Sequence, residues 1–512
     1  MRNLRQFQFA ALGIVLLTVV TRLPALLHPL AIDDEAAYSV AANVVLDGGR
    51  LYIDVIDRKA PLLFWTYAAI FKIAGKYNWV ALHVVTLLWT LATMAGLYVI
   101  GRRLFNRNTG LIAALLYSVF QPWLDRRNLA LNGELLMNLP IVWAWAIALG
   151  RSRSRLRPEL LVSGALLAVA FTLKQPAAIA AVPLGIYLLL PSYRGSRGLT
   201  PTQSVIQAAL LTVGFFATLA LAAIVLLRQG ILHEAIYWTI AAHSPPHIFW
   251  TQGVLFTLAF IGACLPLLIG AALAFRDRDG VWLGKSAERT ALFGLVAASC
   301  IGVAAAAHFN LHYYIQLIPP LALLAAPHYD RLWFAKTRAR HWLLHPGVTY
   351  AWLALTVVVF SISHWVGQAK RRNLSGTERY LIEHSAPQDR IFVWGHGTSI
   401  YLYTQRQPAS RYILTFPLTG HIFGGPLPGV DTRNRIVPGS WENLQQDFAK
   451  HPPAYIIDLY SRPGALYPVQ QFPILAKLLA EHYQPVARTE DGVIYCRSDY
   501  RALAHHDPKS NR

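Results

Sequence analysis

The chain has 512 residues, of which 55% are hydrophobic and only 14% charged, and its formal net charge is +20. A soluble chain of this length would make about three domains with roughly a quarter of their residues charged, so the composition excludes an ordinary soluble protein. The Lys and Arg surplus lies in short loops between apolar runs, with no RNA-binding pattern beside it, which points to membrane orientation and excludes nucleic acid as the partner.

The first apolar run, about residues 7–27, follows Arg2 and Arg5. It is long for a signal peptide and no small-x-small cleavage site follows it, so an uncleaved anchor is expected. Residues 28–78 form a long loop holding "DDEAAYSVAANVVLDGGRLYIDVIDRKAP". Its apolar residues recur at helical spacing and stop at Gly48-Gly49, which predicts a helix lying along the membrane surface. Asp33, Asp34 and Glu35 open that helix. The helix dipole stabilises acids at an N-terminus, which accounts for one or two carboxylates but not for three beside a bilayer. Asp57, Arg58 and Lys59 then precede the apolar segment "PLLFWTYAAIF". These cations are either an interfacial anchor or a grip on a lipid phosphate.

Further apolar runs near 79–100, 109–121, 134–150, 160–173, 176–190, 203–227, 252–275, 290–306, 312–327 and 348–366 bring the expected spans to about eleven. In "LDRRNLALNGELL" Glu134 opens a span and Asn132 is the candidate cap. In "FTLKQPA" Lys174 stands where a proline breaks the helix. An ionisable residue at membrane depth is a functional candidate by default, and a lysine snorkelling at a turn is the alternative. "HFNLHYYIQLIPPLALLAA" offers His308 and His312 either as metal ligands or as part of a polar interfacial turn in an aromatic belt. His312 and Tyr313, with Asp33 and Tyr38, are candidates for substrate contact.

With a cytoplasmic N-terminus, the cytoplasmic pieces hold about 19 Lys and Arg and the opposite loops about 9, as the positive-inside rule requires. An odd span count then places residues 367–512 outside. "RIFVWG", "SRYIL", "AYIIDLY" and "GVIYCR" in this tail are expected strands, and "ERYLIEHSA" and "ILAKLLAEHY" expected helices, giving a soluble α/β domain. "GHGTS" at 395–399 lacks the spacing of a phosphate loop and is expected to be a strand-end turn. Cys264, Cys300 and Cys496 are too few for a disulfide framework and are expected to be unpaired.

Every polar feature above falls on the outer side. Carboxylates beside cations at a bilayer surface suit sugar transfer from a polyprenyl-phosphate donor: a base takes the acceptor proton and cations stabilise the departing phosphate. Nucleotide sugars are cytoplasmic, so an outward-facing site calls for a lipid-linked donor. A multi-span transporter or lipid flippase is the alternative, although the charges gather on one face and inverted repeats are not evident. An assembly protein whose tail binds a partner is a third reading, which no residue in the tail specifies.

The stretch Asp33–Gly75 resembles the first outer loop of bacterial GT-C membrane glycosyltransferases, the group related to protein O-mannosyltransferases and lipid A aminoarabinose transferases. It carries the acidic pair Asp34-Glu35, the aromatic Tyr38, the turn Gly48-Gly49 and the segment Lys59-Ala60-Pro61. "FTLKQPA" resembles the family's lysine-bearing outer loop, and "HYYIQLIPPLALLAA" its late Tyr-Tyr…Pro span. The resemblance implies a GT-C-like polytopic helical domain over 1–366 and an extracytoplasmic α/β domain over 367–512, in the inner membrane of a bacterial cell. It implies that Asp34 is the catalytic base or a metal ligand, with Glu35 its partner and Glu134 a second acid. It places Lys59 and Lys174 near the donor phosphate, and Arg58 would act beside them. No cofactor is required by this chemistry. Family members differ in metal dependence, so a divalent ion held by Asp34 and Glu134 stays open. The implied partners are a polyprenyl-phosphate-linked sugar, a lipid, glycan or protein acceptor of the cell envelope, and membrane lipids.

Overall fold

Backbone N–H and C=O groups inside a bilayer must be satisfied within their own segment, which makes helices of long apolar runs. The computed structural model describes residues 2–27, 33–150, 155–242, 248–277, 280–305, 307–334, 345–369, 374–424 and 430–500. Each of the eleven runs carries helix, among them Arg2–Leu27, Trp79–Leu104, Gly133–Leu149, Leu160–Leu173, Pro201–Arg228, Ser286–Ala304 and Pro346–Ala369. Among the described residues, five helices are long and apolar enough to cross a membrane, or seven if two sharply bent pairs each count as one span. The expected count of about eleven is thus not met by length: Gly133–Leu149 has 17 residues and Leu160–Leu173 has 14. One of the bends, 83° between Trp250–Ala263 and Leu265–Arg276, falls where Pro266 removes a backbone donor. The chain is a multi-pass membrane protein.

Its residues fall into two units, one comprising Met1–Leu30, Trp79–Val225 and Ile248–Lys370, the other Ala31–Asn78, Leu226–His247 and Arg371–Arg512. In the first, helix Gly133–Leu149 packs against Trp79–Leu104 and Leu160–Leu173. Its terminal carbonyls are covered by arginines from the expected cytoplasmic loops. Arg157 donates to the carbonyls of Ala148 and Ile147, each at 2.7 Å, Arg103 to Ala146 at 2.7 Å, and Arg197 to Gly150 at 2.9 Å. Cations at the C-terminus and Glu134 in the first turn both complement the helix dipole. The basic loops therefore do structural work.

The second unit joins the C-terminal domain to residues 31–78 and 226–247. Helix Asp33–Leu46 is enclosed by protein: every residue from Glu35 to Asn43 is buried. It is nearly apolar on all sides after its first turn, the pattern of an enclosed helix, and it packs on helices Pro61–Ala74 and Thr398–Thr404. The Gly48-Gly49 stop is as expected. Gly48 takes φ +90°, a left-handed backbone that glycine adopts without strain. The N–H groups of Gly48 and Gly49 close the helix on the carbonyls of Val45 and Val44 at 3.1 and 3.0 Å.

The C-terminal domain holds five strands: β1 Arg390–Trp394, β2 Gln407–Pro408, β3 Tyr455–Asp458, β4 Tyr483–Arg488 and β5 Val493–Arg497. Their order is β2-β1-β3-β5-β4. β1 pairs in parallel with β2 and β3, while β3–β5 and β5–β4 are antiparallel. The α/β architecture, both expected helices and the strand-end turn at 395–397 are present. "SRYIL" is not a strand. Asp447 accepts from the Ser410 hydroxyl at 3.0 Å and the Arg411 N–H at 2.9 Å, and Ser410 accepts from the Tyr412 N–H at 3.2 Å. Donors that a ladder would use are spent on side chains. β4 escaped the sequence pattern because it is an exposed, polar edge strand containing Pro485. The three cysteines are free.

Asp458 ends β3 almost fully buried, and burial raises its carboxyl to about 6 although it accepts the Tyr460 N–H at 2.9 Å. A folded pKa above the unfolded value of about 3.9 makes the fold bind the extra proton, so stability is present at low pH and lost as pH rises through about 6. Asp458→Asn should therefore stabilise the domain on the order of 1 kcal/mol above pH 7. Below about pH 4 the difference from wild type should vanish. Thermal unfolding at several pH values measures it; a stabilisation independent of pH would contradict the assignment.

Candidate functional site

Glu134 stands in the first turn of Gly133–Leu149, where Asn132 caps the helix by accepting the Leu135 N–H at 2.9 Å. Capping is thus the work of Asn132, and the Glu134 side chain is turned to other partners. Its Oε1 accepts a short hydrogen bond from Lys174 Nζ and lies 3.6 Å from His312 Nε2. Lys174 follows the end of Leu160–Leu173 in extended conformation, and its N–H still closes that helix on Ala170 at 2.9 Å. Its stem passes so close to Gly133 that a Cβ there would stand 3.0 Å from Lys174 Cδ. The ammonium lies 4.5 Å from the centroid of the Tyr313 ring, which is itself edge-on to the His312 ring at 4.7 Å.

Glu134, Lys174, His312 and Tyr313, four of the residues singled out in sequence, therefore form one cluster in the first unit. The Glu134 side chain is 2% exposed and that of Lys174 15%. Charges so buried persist because they are paired. Lys174 is thus not simply snorkelling: it carries a buried counter-ion. Asn138, one turn beyond Glu134, supports the cluster by donating to the Ile315 carbonyl at 3.4 Å. Sequence reading passed it over, although a polar residue at i+4 from Glu134 in an apolar helix is a usable signal.

The second unit holds the rest. Glu35 is completely buried and Asp34 half-buried. Burial and these two carboxylates together push the Tyr67 phenol well up, so both acids lie within electrostatic reach of it. Tyr38 meets Phe64 and Tyr67 edge-on at 5.8 and 5.6 Å. Asp33 opens the same helix, and its side chain lies outside the described residues.

Lys59 is positioned through its backbone. Tyr52 Oη donates to its carbonyl at 2.6 Å and Asp57 Oδ1 accepts its N–H at 3.0 Å. Tyr52 takes φ +67° to do this, a rare conformation for a non-glycine residue. Burial raises the Asp57 carboxyl against the opposing pull of Lys59 and Arg58. The Arg58 guanidinium lies 4.8 Å from the centroids of both Phe416 and Phe423, and the Ile56 N–H donates to the Arg411 carbonyl at 2.9 Å. The Lys59 segment is therefore braced by the C-terminal domain, which sequence spacing could not reveal.

Among the described residues no three His, Cys, Asp or Glu side chains converge as a metal site. Glu134 is engaged by Lys174.

Residues 58–221 match the family model described as dolichyl-phosphate-mannose-protein mannosyltransferase. That stretch includes Arg58, Lys59, Glu134 and Lys174, and excludes Asp34 and Glu35. The fold is similar to that of ArnT from Cupriavidus metallidurans bound to undecaprenyl phosphate, with 15% identity, a TM-score of 0.59 and coverage of 96% of this chain and 97% of that one. It is also similar to the Archaeoglobus fulgidus oligosaccharyltransferase tethered with an acceptor peptide, with 11% identity, a TM-score of 0.52 and coverage of 97% of this chain and 74% of that one. At these identities the likeness is one of fold. No curated protein sequence matches the chain significantly.

Proposed function

We propose that the protein transfers a sugar from a polyprenyl-phosphate donor to an acceptor hydroxyl at the outer face of the inner membrane, with inversion at the anomeric carbon. The observation that carries this reading is the family match over residues 58–221, which takes in the buried Glu134–Lys174 pair and the braced Lys59. The undecaprenyl phosphate held by ArnT, a protein of the same fold, supports the donor class.

In the proposed step the acceptor oxygen attacks the anomeric carbon as the bond from that carbon to the phosphate oxygen breaks. The hydroxyl proton goes to Asp34, with Glu35 as its partner. The electron pair leaves with the polyprenyl phosphate. A transition state of oxocarbenium character is expected, as in glycoside hydrolysis. The leaving phosphate needs no acid to protonate it, only cations: Lys59, Arg58 and Lys174 fill that role. Lys174 has three N–H donors; one is held by Glu134, leaving others for a phosphate oxygen. A divalent ion, where bound, would supply further charge at the phosphate, and no step here requires it. Purified protein offered a panel of polyprenyl-phosphate sugars and envelope acceptors tests the reading. Failure to transfer from any lipid-linked sugar, with transport of one instead, would favour the flippase.

From the loop charge bias we further propose a cytoplasmic N-terminus and a periplasmic location for residues 367–512. A reporter active only in the cytoplasm, fused after Arg512, should stay silent. Strong signal would reverse the topology and remove the outward-facing site.

A further inference from the structure

In open α/β sheets ligands bind beyond the carboxyl ends of the strands, at the point where successive connections leave in opposite directions. The C-terminal domain has such a point. From β1 the chain goes to β2 on one side and then to β3 on the other, and β1 and β3 run parallel. The segments that follow these strands meet there. His396, just after β1, packs against His421 with ring centroids 4.3 Å apart, and His421 meets Tyr467, from the loop after β3, at 5.6 Å. Beside them lies a cavity of about 580 Å³, within the range of about 300–1,000 Å³ usual for ligand sites. None of its described lining residues has been given a role in the transfer step.

The lining fixes the kind of ligand. Tyr467, Phe472 and Ile422 supply an apolar wall. Gln471 supplies an amide that both donates and accepts, while the Thr419 and Thr432 hydroxyls, which donate to the carbonyls of Thr415 and Thr419 at 2.9 and 2.7 Å, offer acceptor oxygens. His421 Nδ1 is buried without a hydrogen-bond partner. Burial and Arg58 hold this imidazole neutral, lowering it to about 4, so at neutral pH it too can serve a hydroxyl in either sense. Arg433 and Asp431 at the rim cancel each other through paired hydrogen bonds of 3.0 and 2.7 Å. The described lining thus offers no uncompensated charge for an anion and too many polar groups for a lipid tail. A peptide would more naturally add along a sheet edge, whereas this cavity lies off strand ends.

We propose that this cavity binds a neutral, polyhydroxylated glycan, and that it is the docking site for the saccharide portion of the acceptor. The second clause rests on the transferase reading above; the first does not.

The test uses the full-length protein in detergent micelles. Gluco-, galacto- and manno-oligosaccharides of two to four units are titrated beside an acidic disaccharide and a neutral tetrapeptide. Gln471→Trp and Ala465→Trp each fill the cavity from exposed or half-buried positions and leave the donor machinery untouched; Lys477→Ala is the control. At least one neutral oligosaccharide should bind, each Trp variant should weaken it tenfold or more, and the control should leave it unchanged. In transfer assays the Trp variants should raise the acceptor KM while kcat and donor KM stay within twofold. Absence of neutral oligosaccharide binding, binding that survives both Trp variants, or preference for the acidic sugar or the peptide would overturn the proposal. Saccharide binding that responds to the variants in a protein that transfers no lipid-linked sugar would keep the cavity and reject the transferase. Transfer that proceeds with an acceptor KM indifferent to both variants would reject the cavity alone.

Discussion

Asp34→Asn is expected to lower turnover of a lipid-linked sugar by at least the roughly 10²-fold that a general base contributes. The substitution keeps size and, at a helix start, capping ability, since Asn caps about as well as Asp. Asp33→Asn should be milder, because the acidic pair of the motif falls on Asp34-Glu35. Both variants are compared with wild type at matched, folded concentration. Near-wild-type turnover by Asp34→Asn would remove the base from the proposed step. A dead Asp33→Asn beside an active Asp34→Asn would keep the chemistry and shift the register by one.

The second large effect is on stability. Lys174→Met should leave the Glu134 carboxylate, 2% exposed, without its ion-pair partner, and breaking a buried pair from one side costs about 3–5 kcal/mol. His312 at 3.6 Å from the carboxylate can offset part of this by taking up a proton. A lower melting temperature in the same detergent is expected. Adding Glu134→Gln should restore most of it, because the buried charge is then gone. Donor titration of the double variant separates the two roles of Lys174. Restored stability with a raised donor KM assigns the lysine to the phosphate as well as to Glu134. Restored stability with unchanged donor kinetics leaves it purely structural. A single variant that melts like wild type would mean the pair does not hold the fold.

The acidic helix start, the glycine stop, the positions of the apolar helices and the α/β character of the tail were legible in the sequence. Each depends on local chemistry: runs of apolar residues must bury their backbone, Gly48 permits a left-handed turn, and strand and turn residues alternate over a few positions. The burial of helix Asp33–Leu46 within protein was not legible, because moderate apolar periodicity looks the same against lipid as against protein. "SRYIL" was misread because its β-forming residues gave no warning that Asp447, 36 residues beyond Arg411, would take the Arg411 backbone donor.

Glu134 and Lys174 were each singled out alone, from a charge in an apolar setting, but 40 residues separate them and nothing local joins them. Their pairing, the approach of His312 and Tyr313, and the bracing of Arg58 by Phe416 and Phe423 arise only when distant segments fold together. Local sequence determines which groups must be paired or buried, because an unpaired charge or open backbone is costly wherever it stands. Which partner satisfies each group is decided by tertiary packing, since several partners of equal chemistry compete and only geometry chooses among them.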